Sequence, residues 1–194
     1  MRTRFGRPGM LRAVMLLSVL VVGARIGRSP LAMEAAPTGS PATIRESPQD
    51  AAAAFNLLKT LAGEWRGRST KGWDDRGSIQ MIAKGSVFLQ TSEFEAHPGE
   101  TMLTTISADG GRLLLTHFCI AGNQPRMEAA GIQQDGRTIL FTFIDGGNLP
   151  SRDKGHMDKA LYRLIDKDHF TSQWTWYEGG SERWMEEIVF ERTK

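Results

Sequence analysis

Hydrophobic and polar positions alternate in short runs over most of the chain after residue 64. Each run is rich in β-branched and aromatic residues, and Gly, Asp, Asn or Pro separates it from the next. Even spacing without helices between the strands favours an antiparallel meander over a parallel α/β sheet. The pattern predicts ten strands, at residues 64–70, 78–84, 86–95, 101–107, 111–119, 125–133, 137–144, 156–165, 169–177 and 183–192.

About ten such strands can close into a barrel, which removes the exposed edges of the sheet. The predicted fold class is therefore mostly β, an antiparallel up-and-down barrel, and a sandwich of the same strands is the alternative. Because side chains alternate between the two faces of a strand, each set of aromatic and aliphatic residues should share one face. These sets are Ile139, Phe141 and Phe143; Phe170, Trp174 and Trp176; and Trp184, Ile188 and Phe190.

One short helix is predicted before the first strand. Pro48 suits the first position of a helix, and Phe55, Leu58 and Leu61 recur at helical spacing. The pattern changes to alternation shortly afterwards. We therefore expect a helix over residues 48–61.

The first 24 residues have the composition of an export signal. Four arginines precede an uncharged apolar run at 13–24 that ends in small residues. A run of about 12 residues is short for a bilayer span, which needs about 20. We predict a signal peptide at 1–24, a flexible linker at 25–47 and a barrel domain at 48–194. The mature protein would be periplasmic or extracellular, without an integral membrane span.

The charge of the mature domain gives no support for a nucleic-acid partner. The chain has 24 Lys and Arg against 22 Asp and Glu, and four of the arginines lie in the predicted signal. Its removal leaves 20 against 22, a net charge of −2. The single cysteine, Cys119, cannot form an internal disulfide, so the domain must rely on its core.

Residues 115–128 are the densest in chemically active side chains. His117 and Cys119 share one strand face, and Asn123, Gln124 and Arg126 follow in the turn and the next strand. One hypothesis is a ligand-recognition cluster in which Arg126 pairs with a carboxylate or phosphate. The other is a tight hairpin whose polar side chains bond their own backbone, with Cys119 in the core.

Other candidate features have simpler interpretations. The acid pairs Asp74-Asp75 and Glu186-Glu187 are expected to be solvated, because neighbours on a strand point to opposite faces. The remaining histidines lack the spacing of a metal site, and no metal is predicted. Residues 145–155 form a longer polar loop, either a surface excursion or a rim over a barrel mouth.

The Gly63-Glu64-Trp65 triplet after the helix resembles the opening of lipocalin-like (calycin) barrels. The resemblance implies that Trp65 closes one barrel end and that Arg192, on the last strand, lies across it. More narrowly, residues 117–127 resemble a His-aromatic-Cys-x-x-Gly-Asn-Gln-Pro-Arg-Met segment of uncharacterised exported bacterial proteins. That resemblance implies no established activity.

Nitrobindin-like barrels share the Gly-x-Trp opening and bind haem iron through a histidine. This chain has no histidine after His169, so the C-terminal position where that family places its ligand is unmatched. Haem binding therefore stays a minor alternative, and no cofactor is predicted.

The sequence predicts an exported barrel that binds a small apolar or amphipathic molecule in its lumen, without catalysis. The lumen would be lined by Phe141, Phe143 and Trp174, with His117 or Arg126 at one end. One alternative is a barrel enzyme that uses the His117/Arg126 cluster for acid–base chemistry. Another is a domain whose outer surface binds a partner in the cell envelope.

Overall fold

The computed structural model describes residues 48–193. The predicted signal peptide and linker, residues 1–47, lie outside the described residues. The predicted fold class is confirmed: ten antiparallel strands form a closed barrel after one short helix. The elements are α1 (Pro48–Lys59), β1 (Gly63–Ser69), β2 (Asp74–Ile82), β3 (Val87–Phe94), β4 (Thr101–Asp109), β5 (Arg112–Phe118), β6 (Gln124–Ala129), β7 (Thr138–Gly147), β8 (His156–Leu164), β9 (His169–Glu178) and β10 (Ser181–Arg192).

The strands follow an up-and-down order in which each pairs with the next along the chain. β1 pairs with both β2 and β10, with Trp65 opposite Arg192 and Ser69 opposite Ile188. The pairing of β1 with β10 closes the sheet on itself and excludes the sandwich. All ten predicted strands are present, but β2 begins at Asp74 and β7 continues to Gly147.

One end of the barrel is closed by Arg192 and Trp65. The Arg192 guanidinium lies 4.2 Å from the centroid of the Trp65 ring. It also donates hydrogen bonds to the carbonyl oxygens of Ala62 (2.7 Å), Thr60 (3.0 Å) and Lys167 (2.8 and 3.0 Å). A planar, permanently charged fork can stack and donate at once, so this one side chain ties the last strand to the start of the first.

The helix α1 covers the same end. Ala51, Ala54, Phe55 and Leu58 are buried along one of its faces, and the helix packs against β4 and β5. Their burial removes the apolar stripe of α1 from water and seals the barrel base. Within residues 48–193, no helix is long and apolar enough to cross a bilayer.

Aromatic side chains fill the lumen above this closed end. Phe170 meets Trp65 edge-on, with ring centroids 4.7 Å apart, and stacks on Phe190 at 4.4 Å. Tyr162 lies nearly parallel to Phe170, with ring centroids 6.3 Å apart, and its hydroxyl donates to Gln90 Oε1 at 2.7 Å. The lower lumen is therefore a packed core rather than a ligand chamber.

Phe141 belongs to this packed region. It is fully buried and meets Tyr162 edge-on at 6.2 Å. In β10, a register shift between Trp184 and Glu186 interrupts the alternation. Beyond it, Ile188 and Phe190 are both buried, as expected for two residues on one inward face.

Replacing Arg192 with lysine should destabilise the barrel. Lysine keeps the charge but cannot stack as a plane or reach three separate carbonyls, so we expect a loss of about 2–3 kcal/mol in the free energy of unfolding. Urea denaturation measures it. The neighbouring exposed Glu191→Gln is the control and should change stability by less than about 0.5 kcal/mol. Equal effects of the two changes would contradict the role given to Arg192.

Candidate functional site: the open mouth of the barrel

Five strand connections lie together at the end of the barrel opposite α1. Because consecutive strands are antiparallel, every second connection returns to the same end. These connections span residues 70–73, 95–100, 119–123, 148–155 and 179–180. They surround the end that α1 and Arg192 leave uncovered, which we call the mouth.

The mouth holds a cavity of about 380 Å³, here called the mouth cavity. Its lining combines indole, thioether and aliphatic side chains with two cations at the rim, Lys71 and Arg183, and one buried acid, Glu186. Methionine side chains are flexible and polarisable, so such a lining adapts to ligands of different shape. The apolar contributors are Trp73, Phe94, Met102, Ile120, Ala121, Met157, Trp176 and Met185.

A second, smaller space lies beneath the mouth cavity. This inner cavity measures about 40 Å³, enough for a group of one or two water molecules' size. The two cavities share Phe94, Met102, Met157 and Glu186 in their linings, so they are adjacent. The inner lining also includes polar side chains, namely Gln90, Ser92, Thr104, His117 and Ser172.

Glu186 is a buried carboxylate between the two cavities, with 9% of its surface exposed. Its Oε2 accepts hydrogen bonds from the Ser69 hydroxyl and from Trp73 Nε1, the latter at 3.0 Å. Within residues 48–193, it forms no ion pair. The fold thus holds a negative group in the site with hydrogen bonds alone.

Asp75 is a second buried acid close to Glu186. Its side chain is fully buried, Oδ1 accepts the Glu93 backbone N–H at 3.1 Å, and the nearby Ser92 side chain interacts with the carboxyl and partly offsets the effect of burial on its pKa. Burial raises the pKa of Asp75 to about 7, and the Glu186 charge acts in the same direction. Asp75 therefore changes its charge near neutral pH.

His117 lines the inner cavity and is 5% exposed. Its Nδ1 lies 2.9 Å from Thr104 Oγ1, and its ring packs on Trp174 with centroids 4.7 Å apart. Burial lowers the pKa of His117 to about 4, so the imidazole is neutral at pH 7. Nε2 has no partner within the described chain, and neither does the neighbouring Ser172 Oγ.

The structure does not bring Arg126 to His117. Arg126 is exposed and forms an ion pair with Asp145, whereas its neighbours Pro125 and Met127 are buried. The ion pair raises the pKa of Arg126. The acid–base cluster of the enzyme hypothesis is therefore not assembled, because its two members lie on opposite faces of the sheet.

The turn between β5 and β6 uses its polar groups largely to hold loops together. Asn123 is buried and donates from Nδ2 to the Gly155 carbonyl at 2.8 Å, and Asn148 donates to the Gly122 carbonyl at 2.6 Å. Gln124 makes a longer contact, 3.4 Å, with Gly122 O. These bonds tie the 119–123 and 148–155 connections to each other. Asn123 and Gln124 do not line either cavity.

Cys119 lies half-buried in the wall of the mouth cavity. Its backbone N–H donates to Asn123 O at 3.1 Å, and burial raises the pKa of its thiol. It is neither sealed in the core nor freely exposed. Because it is the chain's only cysteine, the rate of its alkylation can report whether the mouth cavity is occupied.

The loop at 148–155 is a mostly exposed excursion that Arg152 anchors to the rim of the barrel. Its Arg152 guanidinium lies 3.9 Å from the Tyr177 ring centroid and 4.4 Å from that of Phe143. It also pairs with the buried Asp158 and contacts His156. Phe143, predicted to line a ligand lumen, instead packs in this rim.

Sequence reasoning missed Asp75 and Glu186, for which it predicts solvated positions. Both are buried, and this expectation is corrected. The sequence does contain a signal for the burial of Glu186. Ile188 and Phe190 follow it by two and four positions, so all three residues share the inward face of β10. Asp75 stands in the same relation to Gly77 and Ile79.

Comparisons with known proteins identify no family for the chain. Neither a scan against protein-family models nor a search of curated proteins gave a match. Among solved structures, the chain is similar to a protein of unknown function from the DUF3598 family of Nostoc punctiforme, with 16% identity and a TM-score of 0.43. The match covers 70% of this chain and 49% of that chain, so the chain spans about half the length of this neighbour.

Asp75 should give the barrel a distinctive dependence of stability on pH. Its pKa is about 7 in the folded protein against an ordinary value of 3.8, so between these values the folded protein binds more protons than the unfolded chain. Stability from this group is then lost as pH rises. We therefore expect the free energy of unfolding of Asp75→Asn, relative to that of the parent protein, to rise by roughly 2–3 kcal/mol from pH 5 to pH 8.

Urea denaturation of both proteins at several pH values measures this difference, in which the contributions of other groups cancel. Asp74→Asn is the matched control. Asp74 is an exposed neighbour whose pKa is lowered by its hydrogen bond with Arg68, so its difference from the parent should stay flat over the same range. A flat difference for Asp75→Asn as well would contradict the raised pKa.

Proposed function

We propose that this protein binds a small apolar or amphipathic molecule in the mouth of its barrel, without catalysing a reaction on it. The apolar part of the molecule would occupy the mouth cavity, and its polar end would reach the inner cavity. The observation that carries the proposal is the adjacency of these two spaces, one lined mainly by indole and thioether groups and the other partly by polar groups.

The size and chemistry of the mouth support this function. Small-molecule sites have volumes of roughly 300–1,000 Å³, are mostly apolar and contain a few fixed polar groups. The mouth cavity, about 380 Å³, lies in this range, and Glu186, His117 and Ser172 supply the fixed polar groups below it. The ligand position proposed is higher in the barrel than a site around Phe141, where packed aromatic rings fill the lumen.

Binding is better supported than acid–base catalysis. The hydrogen-bond partner of His117 is the Thr104 hydroxyl, not a titratable group, and Arg126 is paired with Asp145 on the outer face. A general acid or base needs a proton-transfer partner within hydrogen-bond reach. The enzyme hypothesis therefore loses the residues on which it was based.

Cys119 provides a direct test of mouth binding. The neutral fluorophore N-phenyl-1-naphthylamine should bind with a blue-shifted emission, because it leaves water for an apolar site. Alkylation of Cys119 with a bulky maleimide should abolish that signal, since the added group occupies the mouth. Bound fluorophore should in turn slow the alkylation.

The Cys119→Ser variant treated with the same reagent is the control, and it should bind the fluorophore as the untreated protein does. Fluorophore binding that survives complete alkylation of Cys119 would place the ligand elsewhere and defeat the proposal. So would the absence of any binding to the unmodified protein.

We also propose that residues 1–24 direct export and are removed. The support is the order of arginines, apolar run and small residues in the sequence. Intact mass of the protein recovered from the periplasm or medium of an expressing bacterium should correspond to a chain beginning near Arg25. Recovery only of a chain that retains residues 1–24, in the cytoplasmic fraction, would contradict export.

A further inference from the structure

We infer that the ligand carries a protonated amine, whose ammonium group enters the inner cavity and pairs with the Glu186 carboxylate. This inference rests on the proposed function and specifies its ligand class. The reasoning starts from the charge of the site. A buried carboxylate without a cation loses hydration that hydrogen bonds restore only in part, so a cationic ligand would gain by pairing with it.

The hydrogen bonding of Glu186 leaves one oxygen available. Ser69 and Trp73 both donate to Oε2, and no described residue donates to Oε1. Glu186 contributes to the linings of both cavities, so a ligand that enters from the mouth meets this carboxylate. The fold thus holds the acid in place without neutralising it.

Two further acceptors complete the site. In the tautomer whose Nδ1–H donates to Thr104, His117 presents Nε2 as a lone-pair acceptor, and this atom is buried without a described partner. Ser172 Oγ is likewise buried and unpartnered beside the same cavity, among the described residues. With Glu186 Oε1, they match in number the three N–H donors of a primary ammonium group.

The remaining walls also suit a cation with an apolar body. Trp73 lines the mouth cavity and Trp174 the inner cavity, and Trp73 already has the Lys71 ammonium 5.8 Å from its ring centroid, which shows that a cation is accepted beside this indole. The inner cavity, about 40 Å³, has room for an ammonium group but not for a long chain. The apolar body would therefore stay in the mouth cavity.

An anionic amphiphile fits less well. Lys71 and Arg183 at the rim would hold its head group at the surface, but both are exposed and their attraction is screened by salt. Its apolar chain would then point toward Glu186 and the polar inner lining. An acid that entered head first would place a second negative charge beside Glu186.

The test compares three ligands of one chain length, decylamine, decan-1-ol and decanoate, as competitors of N-phenyl-1-naphthylamine at pH 7. Decylamine should compete about tenfold better than decanol, because a hydrogen-bonded charge pair adds to the same apolar contact. Decanoate should be the weakest. This ranking is measured on the unchanged protein and needs no variant.

Glu186→Gln then identifies the group responsible. Glutamine keeps an acceptor for Ser69 and Trp73 but removes the charge, so the advantage of the amine over the alcohol should disappear while the affinity for decanol stays within about twofold. Glu187→Gln is the matched control on the adjacent, outward position of β10 and should preserve the full ranking.

The possible outcomes distinguish a failure of the amine assignment from a failure of the proposed mouth binding. If none of the three compounds displaces the fluorophore, mouth binding of amphiphiles itself fails. If all three compete equally, or decanoate competes best, the mouth still binds amphiphiles but the amine assignment is overturned. An amine preference that persists in Glu186→Gln would also overturn the assignment to this carboxylate.

Discussion

The contact of the Arg192 guanidinium with the Trp65 ring holds the closed end of this barrel together. A ten-stranded barrel closes by pairing its last strand with its first, and here the Arg192 side chain reinforces the β1–β10 ladder by stacking and hydrogen bonding. The same side chain reaches the connection between β8 and β9 through Lys167 O. Together with α1, it makes one end of the barrel a sealed base.

The sealed base decides where chemistry can occur. Trp65, Phe170 and Phe190 pack against one another above it and, with Tyr162 and Phe141, fill the lower lumen. The inner cavity lies above these rings, with Phe190 in its lining. Glu186 and His117 both line the inner cavity, and the adjoining mouth cavity gives a ligand access to Glu186.

The fold was predictable because its rules are local. Alternation and turn residues mark each strand, and neighbouring strands pair in order, so ten strands and a closed barrel follow from spacing. The site was less predictable because a buried acid and a solvated acid look alike in one sequence. Asp75 and Glu186 differ from their neighbours Asp74 and Glu187 only in position: each is an even number of residues from apolar residues that face the lumen.

The other errors concern Arg126 and Phe143. Arg126 faces outward although His117 faces inward on the preceding strand, and the register shift opposite Arg126 skips Ile144 of β7. The buried Met127 and Ala129 carry the phase that would have placed Arg126 correctly. The contacts of Arg152 with Phe143 and Tyr177 join residues from three separate segments, and no local sequence pattern predicts contacts of this kind.

The paired asparagine bonds at the mouth give its rim two unlike halves. Asn123 and Asn148 each hold the other's loop by a backbone carbonyl, and Arg152 fastens the same side to the strands beneath. These bonds join the two connections into one hydrogen-bonded part of the rim. Elsewhere on the rim, Lys71 is exposed in the 70–73 connection and Arg183 is exposed near the start of β10. The opening of the barrel is therefore asymmetric, with cationic side chains on one part and asparagine-linked connections on the other.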